Sequence, residues 1–205
     1  MQTSMAKIEF DLEKDFPIAS YGPRYIGWRA TPKEFQELPR DGYVYRIVDG
    51  VLHLELGKSF QDYKIQKRIV SLIQNAIGME SSGEILEETN LFLPSGEILL
   101  PDICYFRSPI ACIDKTGIHS VPEMIVEILS SSLYDLQNRM MTYLKNGIRE
   151  YWLVEPTYKK ISRFLNKNGQ SWDIESGSRL TSEYLERLEL NSGDLFHFFN
   201  RSKSS

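Results

Sequence analysis

The chain has 205 residues, of which 41% are hydrophobic, and this supports one sizeable core with little room for a second independent domain. The formal net charge is −4, which excludes a global basic field for nucleic acid, so any such binding depends on a local patch. Two cysteines lack the Cys-x-x-Cys spacing of a zinc site, and no apolar run reaches the roughly 18 residues of a membrane span, so we expect a cytoplasmic protein without a membrane partner.

Residues 1–30 predict an irregular N-terminal arm, which either lies across the domain or joins a subunit contact in a homodimer. Residues 31–205 then form a single domain. Its first element is a short helix through Leu38, because Thr31 and Glu34 have the spacing of a capping box, with Pro32 at the first helical position. Asp49-Gly50 follows, between two runs of strand character, and predicts a tight β-hairpin.

A longer helix is predicted after Ser59, extending to about Met79, because apolar residues recur there at helical spacing. Lys64, Lys67 and Arg68 share another face of this helix. Such a basic group is either a solvated face or a weak nucleic-acid contact.

Two apolar runs of strand length, Ile98–Phe106 and Pro122–Ser130, each contain one carboxylate, Asp102 and Glu127. They follow a weaker predicted strand at Glu84–Leu93 and are separated by a long polar loop. A carboxylate on a core strand is costly unless it is paired, hydrogen-bonded or bound to a cation, so a shared divalent metal is one interpretation. The alternative is that each carboxylate lies at a strand end, where it is solvated or caps a neighbouring loop.

The next predicted helix runs from Asp135 to Lys145 and ends at Asn146-Gly147. Arg139 falls within its buried stripe, which includes Leu136 and Tyr143. A cation on that inward face suits a site that needs positive charge beside carboxylates. The alternatives are an arginine that extends to the surface or pairs structurally with one acid.

The remaining sequence predicts a strand at Glu150–Val154, a hairpin across Asn168-Gly169 and a short terminal helix at Gly193–Phe199. Tyr151 and Trp152 alternate across the strand, so at least one ring faces a covered side of the sheet. We therefore expect both rings to serve packing rather than base stacking.

A series of residues resembles a large bacterial “putative restriction endonuclease” family of the PD-(D/E)XK nuclease superfamily, over roughly residues 31–200. The residues that carry the resemblance are Pro101-Asp102, Val126–Ser130, Asp135, Arg139, Tyr143, Gly147-Ile148 and Glu150–Pro156. The resemblance implies an α/β, restriction-endonuclease-like fold with a central mixed β-sheet flanked by helices. It also implies a divalent-metal-dependent DNA endonuclease, in which Asp102, Glu127 and the carbonyl of Ile128 bind Mg²⁺ or Mn²⁺. Arg139 would be the third catalytic residue, as the electrostatic partner of the scissile phosphate.

Several positions depart from the family pattern. The superfamily lysine, two residues after the second acid, is replaced by Leu129, and the family's lysine on the following helix is replaced by Arg139, which cannot transfer a proton near neutral pH. Arg46 stands where the family usually has Glu. The alternatives are therefore a catalytically inactive nuclease-fold binding or interaction protein, or a purely structural Asp-Arg-Glu cluster. Convergence of both carboxylates with Arg139 in one cleft favours the nuclease, whereas an Arg139 bridging both acids favours an inactive protein.

Overall fold

The computed structural model describes residues 22–55, 57–78, 82–129 and 133–197. Most of the predicted N-terminal arm and the end of the terminal helix lie outside these residues. The helices are α1 (Pro32–Glu37), α2 (Phe60–Ile77), α3 (Leu133–Lys145) and α4 (Ser192–Phe196), with a 3-10 turn at Pro156–Tyr158. The first strands are β1 (Tyr45–Val48), β2 (Val51–Leu54), β3 (Glu84–Glu87), β4 (Leu91–Phe92), β5 (Ile98–Leu99), β6 (Ile103–Phe106) and β7 (Ile113–Asp114). The others are β8 (Gly117–Ile118), β9 (Met124–Ile128), β10 (Glu150–Glu155), β11 (Lys160–Asn166), β12 (Trp172–Gly177), β13 (Arg179–Thr181) and β14 (Glu189–Asn191).

The short helix and the hairpin predicted in the N-terminal half are both present. At α1, the Glu34 amide donates to the Thr31 hydroxyl while the Glu34 carboxylate accepts from the Thr31 amide, which confirms the capping box. Strands β1 and β2 pair with Val48 opposite Val51. Asp49 and Gly50 both have positive φ, 51° and 71°, as the tight hairpin turn requires.

Two six-stranded sheets organise the described part of the chain. One has the order β2-β1-β5-β4-β8-β7, and the other has the order β12-β11-β10-β9-β6-β3. In the second sheet β9 and β10 are parallel and the other neighbours are antiparallel. Helices α2 and α4 pack on one face of this sheet and α3 packs on the other. The prediction of an α/β fold with a central mixed β-sheet flanked by helices is confirmed.

The predicted single strand at Ile98–Phe106 is wrong, because the chain changes sheets within it. Strand β5 belongs to the first sheet and β6 to the second. Pro101 lies at the break, where it has no amide hydrogen for a sheet ladder. Asp102 therefore lies on a crossing between the two sheets, immediately before β6, rather than on a strand.

The predicted strand at Glu84–Leu93 also divides between the sheets, into β3 and β4, next to Glu88 with φ of 46°. The amide of Glu88 donates to the carbonyl of Asp102 at 3.3 Å. The two crossings thus lie side by side. The polar segment after β6, predicted as a loop, contains the short β7–β8 hairpin.

Tyr151 and Trp152 on β10 are both fully buried, on opposite faces of the second sheet. Trp152 packs with α2 and α4, and Tyr151 packs with α3. The prediction that both rings serve packing is confirmed. None of the helices in the part of the chain described here is long and apolar enough to cross a membrane.

Candidate active site

Asp102 lies at the junction of the two sheets, and its side chain is held there by a hydrogen bond from a backbone amide of strand β9. Its side chain is buried, and its Oδ2 accepts a hydrogen bond from the amide of Ile128 at 2.6 Å. Ile128 follows Glu127 directly on β9, so this bond brings Asp102 beside the second carboxylate.

Lys58 supplies the cation at Asp102. Its Nζ lies 2.7 Å from Asp102 Oδ1, 2.8 Å from Glu88 Oε1 and 2.7 Å from Gln66 Oε1. These three acceptors match the three donors of an ammonium group. Burial opposes the charge, but the charge of Asp102 and the hydrogen bonds raise the pKa of Lys58 above its ordinary value. Lys58 is therefore a fixed cation in this state.

The position of Lys58 follows from the start of α2. Ser59 caps that helix through a capping box with Asp62. This cap fixes the backbone immediately after Lys58, on the side of α2 that faces the two crossings.

Glu127 lies on β9, near the middle of the second sheet, and its neighbours in the strand pack against the opposite face. Strand alternation therefore directs its buried carboxylate toward α3. Its Oε1 accepts a hydrogen bond from the Tyr143 hydroxyl at 2.6 Å and from Arg139 Nη1 at 3.1 Å.

Arg139 joins two carboxylates, but they are not the pair that the sequence suggests. Its Nη1 binds Glu127, while its Nη2 lies 2.6 and 2.7 Å from the two carboxylate oxygens of Glu55. Arg46 Nη1 contacts the same Glu55 at 3.3 Å. Arg139 therefore reaches the site as predicted and binds one predicted acid, but Asp102 is paired with Lys58 instead.

The two predicted carboxylates are electrostatically coupled. Burial raises the pKa of Asp102 to about 7, and the negative charge of Glu127 adds to the rise, although Lys58 acts against it. Burial also opposes the charge of Arg139, but Glu127, Tyr143 and Glu55 raise its pKa above that of free arginine. For Asp102, burial and the charge of Glu127 together outweigh the attraction of the Lys58 ammonium.

Two buried tyrosines beside the site provide a matched test of these polar contacts. The Tyr143 hydroxyl binds Glu127, whereas the buried Tyr151 hydroxyl has no hydrogen-bond partner among the described residues. We expect Tyr143→Phe to lower the free energy of unfolding by about 1.5–3 kcal/mol, because a bond to a charged group is lost. Tyr151→Phe should raise it by about 1 kcal/mol, because an unsatisfied hydroxyl is removed. Urea unfolding of both variants measures the difference, and a loss of stability in Tyr151→Phe would contradict this assignment.

The predicted nucleic-acid contacts on α2 lie on the exposed face of that helix. Lys64, Lys67 and Arg68 are exposed, and Lys67 binds Glu87 with Nζ–Oε distances of 2.9 and 3.0 Å. Their contact with nucleic acid stays a prediction.

Sequence reasoning missed Lys58 and Glu55. Each lies at the end of a local pattern that does not predict its role. Lys58 precedes the capping box of α2, and Glu55 follows the alternating residues of β2. Neither pattern indicates that the hairpin end and the start of α2 meet at the sheet crossings. A signal did exist for Glu55, because an arginine at position 46 in a buried strand needs an acidic partner nearby.

The described segments contain no group of three or more His, Cys, Asp or Glu side chains that could hold a metal ion. Asp102 and Glu127 are nevertheless hard oxygen donors of the type that Mg²⁺ and Mn²⁺ prefer. The hydrogen bond from the Ile128 amide to Asp102 brings these two donors to one site, as a shared cation requires.

A known family and a known protein that this chain resembles are described as nucleases. A family model described as “Uma2: Putative restriction endonuclease” matches residues 32–193. The chain is also similar in structure to a protein from Anabaena variabilis ATCC 29413, titled “a putative nuclease belonging to DUF820”. That match has a TM-score of 0.69 and 20% sequence identity, and it covers 82% of this chain and 98% of the other. No curated protein matches the chain significantly.

Proposed function

This chain belongs to the Uma2 family, described as “putative restriction endonuclease”, and from that premise we propose that it is a divalent-metal-dependent DNA endonuclease. The observation that carries the proposal is that two buried carboxylates and an ammonium meet at one site. Asp102 accepts a hydrogen bond from the amide of Ile128, the residue after Glu127, and Lys58 Nζ is 2.7 Å from Asp102. Metal-dependent hydrolysis of a phosphodiester uses these two elements, oxygen ligands for a dication and a cation for the phosphate.

Asp102 and Glu127, with the carbonyl of Ile128, would hold Mg²⁺ or Mn²⁺. When bound, such an ion neutralises phosphate charge and lowers the pKa of a water molecule that attacks phosphorus. Tyr143 and Arg139 keep the Glu127 carboxylate oriented through their hydrogen bonds. The amide of Ile128 orients Asp102 in the same way.

Lys58 takes the role that the family pattern assigns to a lysine at position 139. In the metal-free state it neutralises Asp102, and once that carboxylate has another counter-ion its ammonium can bind the scissile phosphate. Arg139 already has both terminal nitrogens on carboxylates. We therefore assign it to positioning Glu127, and assign the phosphate contact to Lys58.

Nicking of supercoiled plasmid in Mg²⁺ or Mn²⁺ tests this function. Asp102→Asn should abolish nicking and the rise in melting temperature that Mn²⁺ gives the wild type by binding the native state. Lys58→Gln should keep the Mn²⁺-induced rise but slow nicking by roughly 10²–10³-fold, the range for losing one transition-state donor.

Asp114→Asn provides the control, because it makes the same exchange at an exposed carboxylate in the β7–β8 hairpin. It should nick at the wild-type rate. Wild-type nicking by Asp102→Asn, or an equal Mn²⁺ response in that variant, would reject Asp102 as a metal ligand.

A second candidate, a nuclease-fold protein that binds DNA without cleaving it, is favoured by one observation. Asp102, Glu127 and Glu55 are each paired with a cation of the chain itself. If wild-type protein binds DNA in EDTA but never nicks it in either metal, this candidate replaces the endonuclease.

A further inference from the structure

Asp102 and Lys58 line a cleft with a volume of about 590 Å³. The other walls come from the turn before β1, the segment between β2 and α2, the first turn of α2 and the sheet crossings. The lining includes three aromatic side chains, Tyr43, Phe60 and Tyr63. The carboxylates of Glu55, Glu88 and Asp102 also line it, and each is paired with a cation of the chain itself. The cleft thus leads from three rings to the candidate active site.

These three rings are exposed and do not belong to the buried hydrophobic core. Tyr43 is 39% exposed, Phe60 is 72% exposed and Tyr63 is 46% exposed. Helix α2 already buries another face against the second sheet, through residues such as Ile65 and Ile69. Single exposed apolar side chains are ordinary, but three aromatic rings on one cleft mark a binding surface.

Lysines accompany two of the rings. Lys64 Nζ lies 4.6 Å from the centroid of Phe60, and Lys67 Nζ lies 5.0 Å from that of Tyr63. Both pairs have the four-residue spacing that places side chains side by side on a helix. In each pair the ammonium lies over one face of the ring, so the two helix rings have positive charge beside them.

We propose that this cleft binds unpaired nucleotides of single-stranded DNA, whose bases stack on Tyr43, Phe60 and Tyr63. In a duplex the faces of the bases are covered by their neighbours, so only unpaired bases offer a face to these rings. The charge of Lys64, beside Phe60, complements that of the strand. The choice of DNA rests on the proposed function, and the preference for unpaired bases rests on the rings.

Fluorescence anisotropy in EDTA tests the proposal, with a labelled oligothymidylate and a labelled duplex of equal length. We expect the wild type to bind the single strand at least about tenfold more tightly than the duplex. Phe60→Leu with Tyr63→Leu should weaken single-strand binding by about tenfold or more, because leucine is apolar but has no π face. Phe60→Trp should retain the binding, since it keeps that face.

Tyr158→Leu is the matched control, because Tyr158 is 71% exposed and does not line the cleft. It should leave both dissociation constants unchanged. Equal binding of the two DNA forms by the wild type, or unchanged single-strand binding in the double leucine variant, would overturn the proposal. A loss in Phe60→Trp as large as that in the leucine variant would also overturn it.

Plasmid nicking by the same variants separates this proposal from the endonuclease function. If the protein nicks plasmid but its single-strand binding does not depend on the rings, the aromatic site is rejected and the endonuclease function stands. If single-strand binding depends on the rings but the wild type never nicks plasmid, the aromatic site stands and the endonuclease function is rejected.

Discussion

Replacing Arg139 with Met is expected to lower the free energy of unfolding by about 3–5 kcal/mol, the cost of removing one partner from a buried ion pair. Arg139 is only 5% exposed, and it holds Glu127 with one terminal nitrogen and Glu55 with the other. Without the guanidinium, these two carboxylates lose their shared counter-ion. Methionine fills much of the volume, so the loss would come from charge rather than from a cavity.

Urea unfolding measures this loss, and Arg179→Met provides the control. Arg179 pairs with Glu189 at 3.0 Å on the surface, with side chains 66% and 41% exposed, so its replacement should cost less than about 1 kcal/mol. Adding Glu127→Gln and Glu55→Gln to Arg139→Met should restore part of the stability. An Arg139→Met variant as stable as the wild type would contradict the clamp.

Arg139→Lys completes the test, because an ammonium lacks the planar fork that reaches two carboxylates at once. If Arg139 only positions Glu127, this variant should have a lower urea midpoint and no faster nicking. A gain in nicking rate would instead show that the residue acts on the phosphate.

The second large effect is expected at Trp152. Trp152→Ala should cost about 3–5 kcal/mol, the range for deleting a buried aromatic side chain. The ring is fully buried between the second sheet and helices α2 and α4. Its Nε1 also donates to Glu150 Oε1 at 2.6 Å, so the truncation removes a donor from a buried carboxylate whose pKa burial already raises.

Trp28→Ala gives the comparison at an exposed indole. Trp28 is 57% exposed and contacts the edge of Tyr25, so its truncation should cost much less than that of Trp152. Both variants can be followed by thermal or urea unfolding. A stable Trp152→Ala protein that had lost DNA binding would reverse the assignment of Trp152 to packing.

The elements that sequence reasoning predicted correctly are those decided by neighbours along the chain. The capping box at Thr31 and the turn at Asp49-Gly50 satisfy their backbone groups within a few residues, so their sequence is sufficient. The prediction failed between Ile98 and Phe106, where both halves are apolar and buried. Hydrophobicity indicates that such a segment is covered, but not which sheet covers each half.

The residues of the candidate site also differ in how far the sequence could predict them. The sequence by itself showed that Asp102, Glu127 and Arg139 are charged residues within apolar patterns. It left open whether solvent, a partner of the chain or a metal ion satisfies each charge. The tertiary structure decided their partners. Lys58 and Glu55 reach the site from the ends of other elements, and the sheet crossings bring them within hydrogen-bond distance of Asp102 and Arg139. Such pairings depend on where strands change sheets, which is set by packing across the whole domain and leaves no local pattern in the sequence.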